Sequence, residues 1–248
     1  MASDIDPAVP PFGNATTAGV RSNFAAAKAE IEDLQEGRVS GLIIPETPGV
    51  GFKVDQITPT YPWVDLLGDI TPKTSGAGSP TLGALRGANV RAFFYSAGDD
   101  GDCVFHIPHD YVPGSNLFLH AHWCHNGTTI SGSIVFNFYM AYAKGHGQEV
   151  FPVEVNRTLT VSTPDIATIP RWGHRTDETQ ISAASPAASQ FDSDLIEPDG
   201  LLLVHFDVTT IPTITGGSPN EPAVLTLDLH YQSTGIGTKQ KSPDFWTP

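Results

Sequence analysis

Residues 116–123 read NLFLHAHW and residues 201–208 read LLLVHFDV. Side chains alternate faces along a strand, so the first run sets Leu117, Leu119, Ala121 and Trp123 opposite Phe118, His120 and His122. The second sets Val204 and Phe206 opposite His205 and Asp207, and in TLDLHY (226–231) Asp228 and His230 lie opposite Leu227, Leu229 and Tyr231. An apolar face backed by a polar one marks a strand with one side against a core.

Outward from these runs, strand patterns recur at close spacing: VRAFFYS (90–96), DCVFHI (102–107), SIVFNFYMAY (133–142), EVFPVEV (149–155), RTLTVS (157–162), TQISAA (179–184), LLLVHFDVTT (201–210) and AVLTLDLHYQ (223–232). Turn residues such as Gly-Asp-Asp-Gly, Pro-Gly-Ser-Asn and Asn-Gly separate them. No helical pattern intervenes to supply parallel crossovers, and no internal repeat points to a propeller or solenoid. The expected fold is mainly β: an antiparallel, jelly-roll-like β-sandwich over residues 89–248.

Composition agrees. Only 16% of the 248 residues are charged, while Gly (24) and Pro (21) are plentiful, as in a chain rich in turns and poor in helix. The net charge of −14 repels phosphate backbones and anionic lipid, which excludes nucleic acid as a partner. No run approaches the roughly 20 apolar residues that cross a bilayer, so membrane insertion is not expected. The N-terminus lacks the basic and apolar regions of a secretory signal, which implies synthesis in the cytoplasm. Cys103 and Cys124 lie in apolar runs and read as buried free thiols, the alternative being a disulfide formed after release from the cell.

The first 37 residues differ from the rest. Residues 1–15 hold three prolines and read as an extended leader. Between Thr16 and Glu36, Val20, Phe24, Ala27, Ile31 and Leu34 are spaced 4, 3, 4, 3 with charged residues between them, a narrow stripe of period 3.5. Thr16 or Thr17 suits the cap, and Gly37 the residue after the end. So short a helix is marginal alone. It either lies across its own β domain or, as the narrow stripe favours, pairs with copies of itself as a dimeric or trimeric coil. Residues 38–88, with six prolines and the run TSGAGSPTLGALRGAN, read as a linker and lead-in segment.

For chemistry, histidine dominates. If the three histidine-bearing strands are neighbours, His120, His122, His205, Asp207, Asp228 and His230 could converge as ligands of a structural divalent metal. The plainer reading is imidazole–carboxylate pairing on half-exposed strands, with no cofactor. His106, His109 and His125 lie near turns. Asp99, Asp100 and Asp102 read as an acidic turn, and so do Asp192, Asp194, Glu197 and Asp199. No nucleophile elbow, zinc-protease motif, phosphate loop or dinucleotide fingerprint is present, so no catalytic residue is assigned and the chain reads as a non-enzyme. Trp63, Trp172 and Trp246 fall near Pro or Gly and are candidates either for stacking on sugar rings or for packing at subunit interfaces.

The segment PPFGNATTAGVRSNFAAAKAEIEDLQ resembles the opening of tailed-bacteriophage appendage proteins (tail fibres, head fibres or spikes, and capsid decoration proteins), through the pattern T-x-x-V-R-x-N-F carried by Thr17, Val20, Arg21, Asn23 and Phe24. FHIPHDYVPGSNLFLHAHW also looks like virion proteins of these phages. The resemblance implies a virion surface protein attached by its N-terminus to other head or tail proteins. It further implies a homotrimer and an outward β domain that binds host surface glycan or another receptor. The alternative is a metal- or carboxylate-dependent hydrolase of host polysaccharide. No shaft repeats join helix to sandwich, which departs from long fibres and favours a compact spike or decoration.

Overall fold

Alternation along Ser133–Ala143 sets the architecture. Ile134, Phe136, Phe138, Met140 and Tyr142 point inward and are buried, while the residues between them are half-exposed. A computed structural model describes residues 61–87 and 89–235, with helical residues 24–29 and 31 and the short paired strands Leu42–Ile43 and Lys53–Val54. Among these, the chain is mainly β, with antiparallel sheets forming a β-sandwich.

One sheet has five strands in the order Val155–Ser162, Ser133–Ala143, Leu201–Thr210, Asp99–His106 and Thr71–Pro72. The other has six. Arg175–Gln180 lies at one edge, followed by Phe118–Cys124 and Ala223–Gln232. On its far side Ala223–Gln232 pairs with Trp63–Gly68 along one part and with Arg91–Phe94 along another, and Thr81–Ala84 lies beyond. The inner faces meet in one core that joins Leu119, Trp123, Leu227 and Leu229 of the six-stranded sheet to Phe105, Phe136, Phe138 and Phe206 of the five-stranded sheet. Each such side chain contributes about 1.5–3 kcal/mol on burial.

The sheets begin at Trp63, inside the segment read as linker, rather than at residue 89. Trp63–Gly68 directs Leu66 and Gly68 inward, and Gly68 is buried so closely on Cys103 and Phe105 that a Cβ would overlap both. Pro72 is tolerated because Thr71–Pro72 is an edge strand, where a missing N–H breaks no ladder. Residues 149–154, read as strand, lie outside any strand. Pro152 interrupts the run, and Val150 and Val153 are exposed. Conversely Arg175–Gln180, whose polar sequence hides its strand character, is paired along its whole length with Phe118–Cys124.

In the N-terminal segment, residues 24–29 are helical and Phe24 and Ile31 are exposed. Val20 and Leu34 of the expected seam lie outside the described residues, as does Trp246. Among the described residues no helix is long and apolar enough to cross a membrane.

Candidate functional site

Register brings the histidines of two adjacent strands together on the outer face of the six-stranded sheet. Phe118–Cys124 and Ala223–Gln232 pair with Asp228 opposite His120 and His230 opposite Phe118. Arg175–Gln180 adds Glu178 opposite His120 and Thr176 opposite His122, and Trp63–Gly68 adds Asp65 opposite His230. Because the apolar partners of these residues face the core, the polar set is confined to one surface.

The cluster has two halves. In the first, His120 Nε2 lies 2.8 Å from Glu178 Oε2 and 3.1 Å from His230 Nδ1. Asp65 Oδ1 stands 3.8 Å from His120 Nδ1 and 4.0 Å from His230 Nε2. In the second, His122 Nδ1 is 2.8 Å from His174 Nε2 with their rings stacked, and His122 Nε2 is 3.0 Å from Asp228 Oδ2. Burial holds the His122 imidazole below its usual pKa against the pull of Asp228, and the neighbouring His174 and His120 act in the same direction as burial.

An aromatic corner borders the first half. Trp63, which is 46% exposed, meets Phe118 edge-on at 5.5 Å between ring centres and His230 at 4.9 Å. Trp63, Phe118, Glu178 and His230 line an open cleft of about 240 Å³. Apolar rings beside hydrogen-bonding side chains suit a ligand with alternating C–H and hydroxyl faces.

The expected six-residue convergence is only partly realised. His120, His122, Asp228 and His230 share this face, but His205 and Asp207 belong to Leu201–Thr210 in the opposite sheet, where His205 Nδ1 lies 3.0 Å from Asp102 Oδ1. Strand alternation reports which residues share a face of their own strand, not which strands become neighbours, so the opposite-sheet pair could not be separated from the rest. Glu178, Asp65 and His174 were missed. Glu178 lies in a polar edge strand and Asp65 in a proline-flanked one, so neither carried an alternation signal.

Trp172 does not line the cleft. It packs against the small apolar cluster of Phe94, Cys124 and Ala223, with the Arg171 guanidinium 5.7 Å from its ring centre. His125 is buried, its Nε2 3.1 Å from the Ile169 carbonyl oxygen. Asp99, read as part of a turn, opens a strand and accepts from the Ser96 N–H at 2.6 Å, while Asp100 pairs with Lys73 at 2.9 Å. His106, His109 and His146 gather around Asp199 at 3.1, 2.9 and 2.8 Å.

No family model and no curated protein matches the chain. Among solved structures it is similar to a family 11 carbohydrate-binding module from Clostridium thermocellum in complex with a β-1,3-1,4-mixed-linked tetrasaccharide, at 10% identity and TM-score 0.28, covering 73% of this chain and 94% of that one. A carbohydrate-binding module specific for non-crystalline cellulose matches at 9% identity and TM-score 0.30, covering 62% and 79%. A CBM4 structure matches at 8% identity and TM-score 0.26, covering 80% and 96%.

Proposed function

We propose that this chain is a non-enzymatic surface component of a bacteriophage particle: its N-terminal segment attaches it, as a trimer, to other virion proteins, and its sandwich binds a glycan of the host surface. The observation that carries the binding role is the cleft of Trp63, Phe118, His230 and Glu178, an exposed aromatic floor with a carboxylate and an imidazole within reach. Sugar rings stack their C–H faces on such floors while their hydroxyls take the polar rim. Attachment is supported by the pattern of Thr17, Val20, Arg21, Asn23 and Phe24, and by the exposure of Phe24 and Ile31, apolar residues of the helical stripe.

The test is binding of purified protein to host capsule or lipopolysaccharide polysaccharide. Trp63→Ala is expected to weaken binding by roughly tenfold or more, the scale for removing a central aromatic contact. Equal binding by the variant would remove the cleft from the reading, and release of reducing ends would replace binding by hydrolysis. Immunogold labelling of intact particles tests the virion role and distinguishes head from tail. Removal of residues 1–37 should abolish incorporation while leaving the sandwich folded.

A further inference from the structure

The three atoms at the centre of the outer-face cluster have more lone pairs than protons to serve them. His120 Nε2 is 2.8 Å from Glu178 Oε2 and 3.1 Å from His230 Nδ1, and these two are 3.8 Å apart. A proton on His120 Nε2 can point well at only one of its neighbours. If it serves the carboxylate, the His230 contact is left weak. If His230 Nδ1 carries the proton instead, the His120 lone pair faces a carboxylate oxygen.

A divalent cation satisfies all three together. The three separations place the atoms on a circle of radius about 1.9 Å, so an ion roughly 2.0–2.2 Å from each, the range for zinc with imidazole and carboxylate ligands, sits just above their plane. Asp65 stands behind the two imidazoles: its Oδ1 is 3.8 and 4.0 Å from their outer nitrogens, His120 Nδ1 and His230 Nε2, longer than a hydrogen bond but close enough that a small shift on metal binding would let it accept from one of them and orient it. Asp65, His120 and His230 each offer a ligand atom within 4.8 Å of the others. All four residues come from strands paired in register, so the arrangement is set by the sheet rather than by a loop. Glu178 and His230 also line the cleft, so the cluster borders it.

We propose that His120, His230 and Glu178 form a binding site for a zinc-class divalent cation, with Asp65 as the orienting carboxylate. Two imidazoles and one carboxylate favour zinc and its transition-metal neighbours over calcium or magnesium, which prefer oxygen alone. The site stands whether or not the cleft takes a glycan, because its test contains no saccharide.

The full chain is stripped with chelator and titrated with Zn²⁺ alone by calorimetry, with Co²⁺ absorption reporting coordination. One equivalent should bind and raise the melting temperature. H230A, H120A and E178Q should each weaken binding by roughly 100-fold, and D65N by about tenfold. H122A, which removes the imidazole of the neighbouring half, should change affinity less than about threefold on the same scale. Glu178 is exposed, so E178Q keeps the test valid even if the more buried His120 variant unfolds. Absence of stoichiometric binding, unchanged affinity in both H230A and E178Q, or a larger loss in H122A would overturn the proposal.

Discussion

The indole N–H of Trp123 donates to Asp177 Oδ2 at 2.8 Å, and the same carboxylate is gripped by Arg175, whose Nε and Nη2 reach Asp177 Oδ1 at 2.9 and 2.6 Å. Trp123 is fully buried, so this bond joins the core to the edge strand Arg175–Gln180 that carries Glu178. Asp177→Ala leaves the buried indole N–H without its acceptor and the Arg175 guanidinium with only the Asp165 carbonyl oxygen, and should cost about 1–3 kcal/mol. Asp177→Asn keeps an acceptor for the indole and should cost less. Urea unfolding separates the two variants, and equal losses would show that charge, not the indole bond, dominates.

Gly68 lies directly against the side chains of the facing sheet. A Cβ there overlaps Cys103 Sγ and the Phe105 ring, both fixed in the core. Gly68→Ala should therefore destabilise by about 1–3 kcal/mol, as overpacking does. Pairing it with Cys103→Ala, which removes the sulfur on the other side, should recover part of that loss in a double-mutant cycle. Strictly additive losses would mean that Phe105 alone sets the clash.

Clean alternation explains what was legible in the sequence. Ser133–Ala143, Leu201–Thr210 and Ala223–Gln232 each turn an apolar face to a shared core, so hydrophobic period alone locates them, to the residue in Leu201–Thr210 and Ala223–Gln232. Trp63–Gly68 failed that signal because it lies among prolines and leaves Leu67 on the exposed face. Arg175–Gln180 failed it because its inward residues are polar: Arg175 and Trp123 both donate to Asp177, and Thr179 accepts from Arg157, so none of the three packs as a hydrocarbon. The candidate site was half legible for the same reason. Its histidines sit on strongly patterned strands, whereas Glu178 and Asp65 sit on these two, and only long-range register brings the four residues together.

Asp199 ties two other segments to its own, residues 106–109 through His106 and His109 and the turn at His146. Burial acts to raise its carboxyl pKa, but the hydrogen bonds from His146 and His109 and the charges of His109 and His106 outweigh burial and hold it below the ordinary 3.8. A carboxylate depressed in the folded state contributes stability that is present above its unfolded pKa and lost as pH falls through the folded one. Asp199→Asn should thus melt below the parent protein at about pH 5, with the gap closing as the pH drops under 3.8. A gap that persists unchanged into that acid range would assign the loss to geometry rather than to charge.

The two thiols offer a test of the packing itself. Burial pushes Cys103 up to about 12 and Cys124 to about 11, so at about pH 8 roughly one thiol in a thousand or fewer is ionised, and only the thiolate attacks a disulfide reagent. Cys103 is pressed between the sheets beside Gly68, and Cys124 lies in the small cluster with Phe94 and Ala223. Neither should react with Ellman's reagent on a timescale of minutes in the folded protein, and both should react once urea unfolds it. The reaction rate then follows global opening, so Gly68→Ala and Asp177→Ala should accelerate both thiols by the factor their stability loss dictates. Fast labelling of Cys124 alone, unaffected by either substitution, would instead place a local opening at the Phe94 cluster.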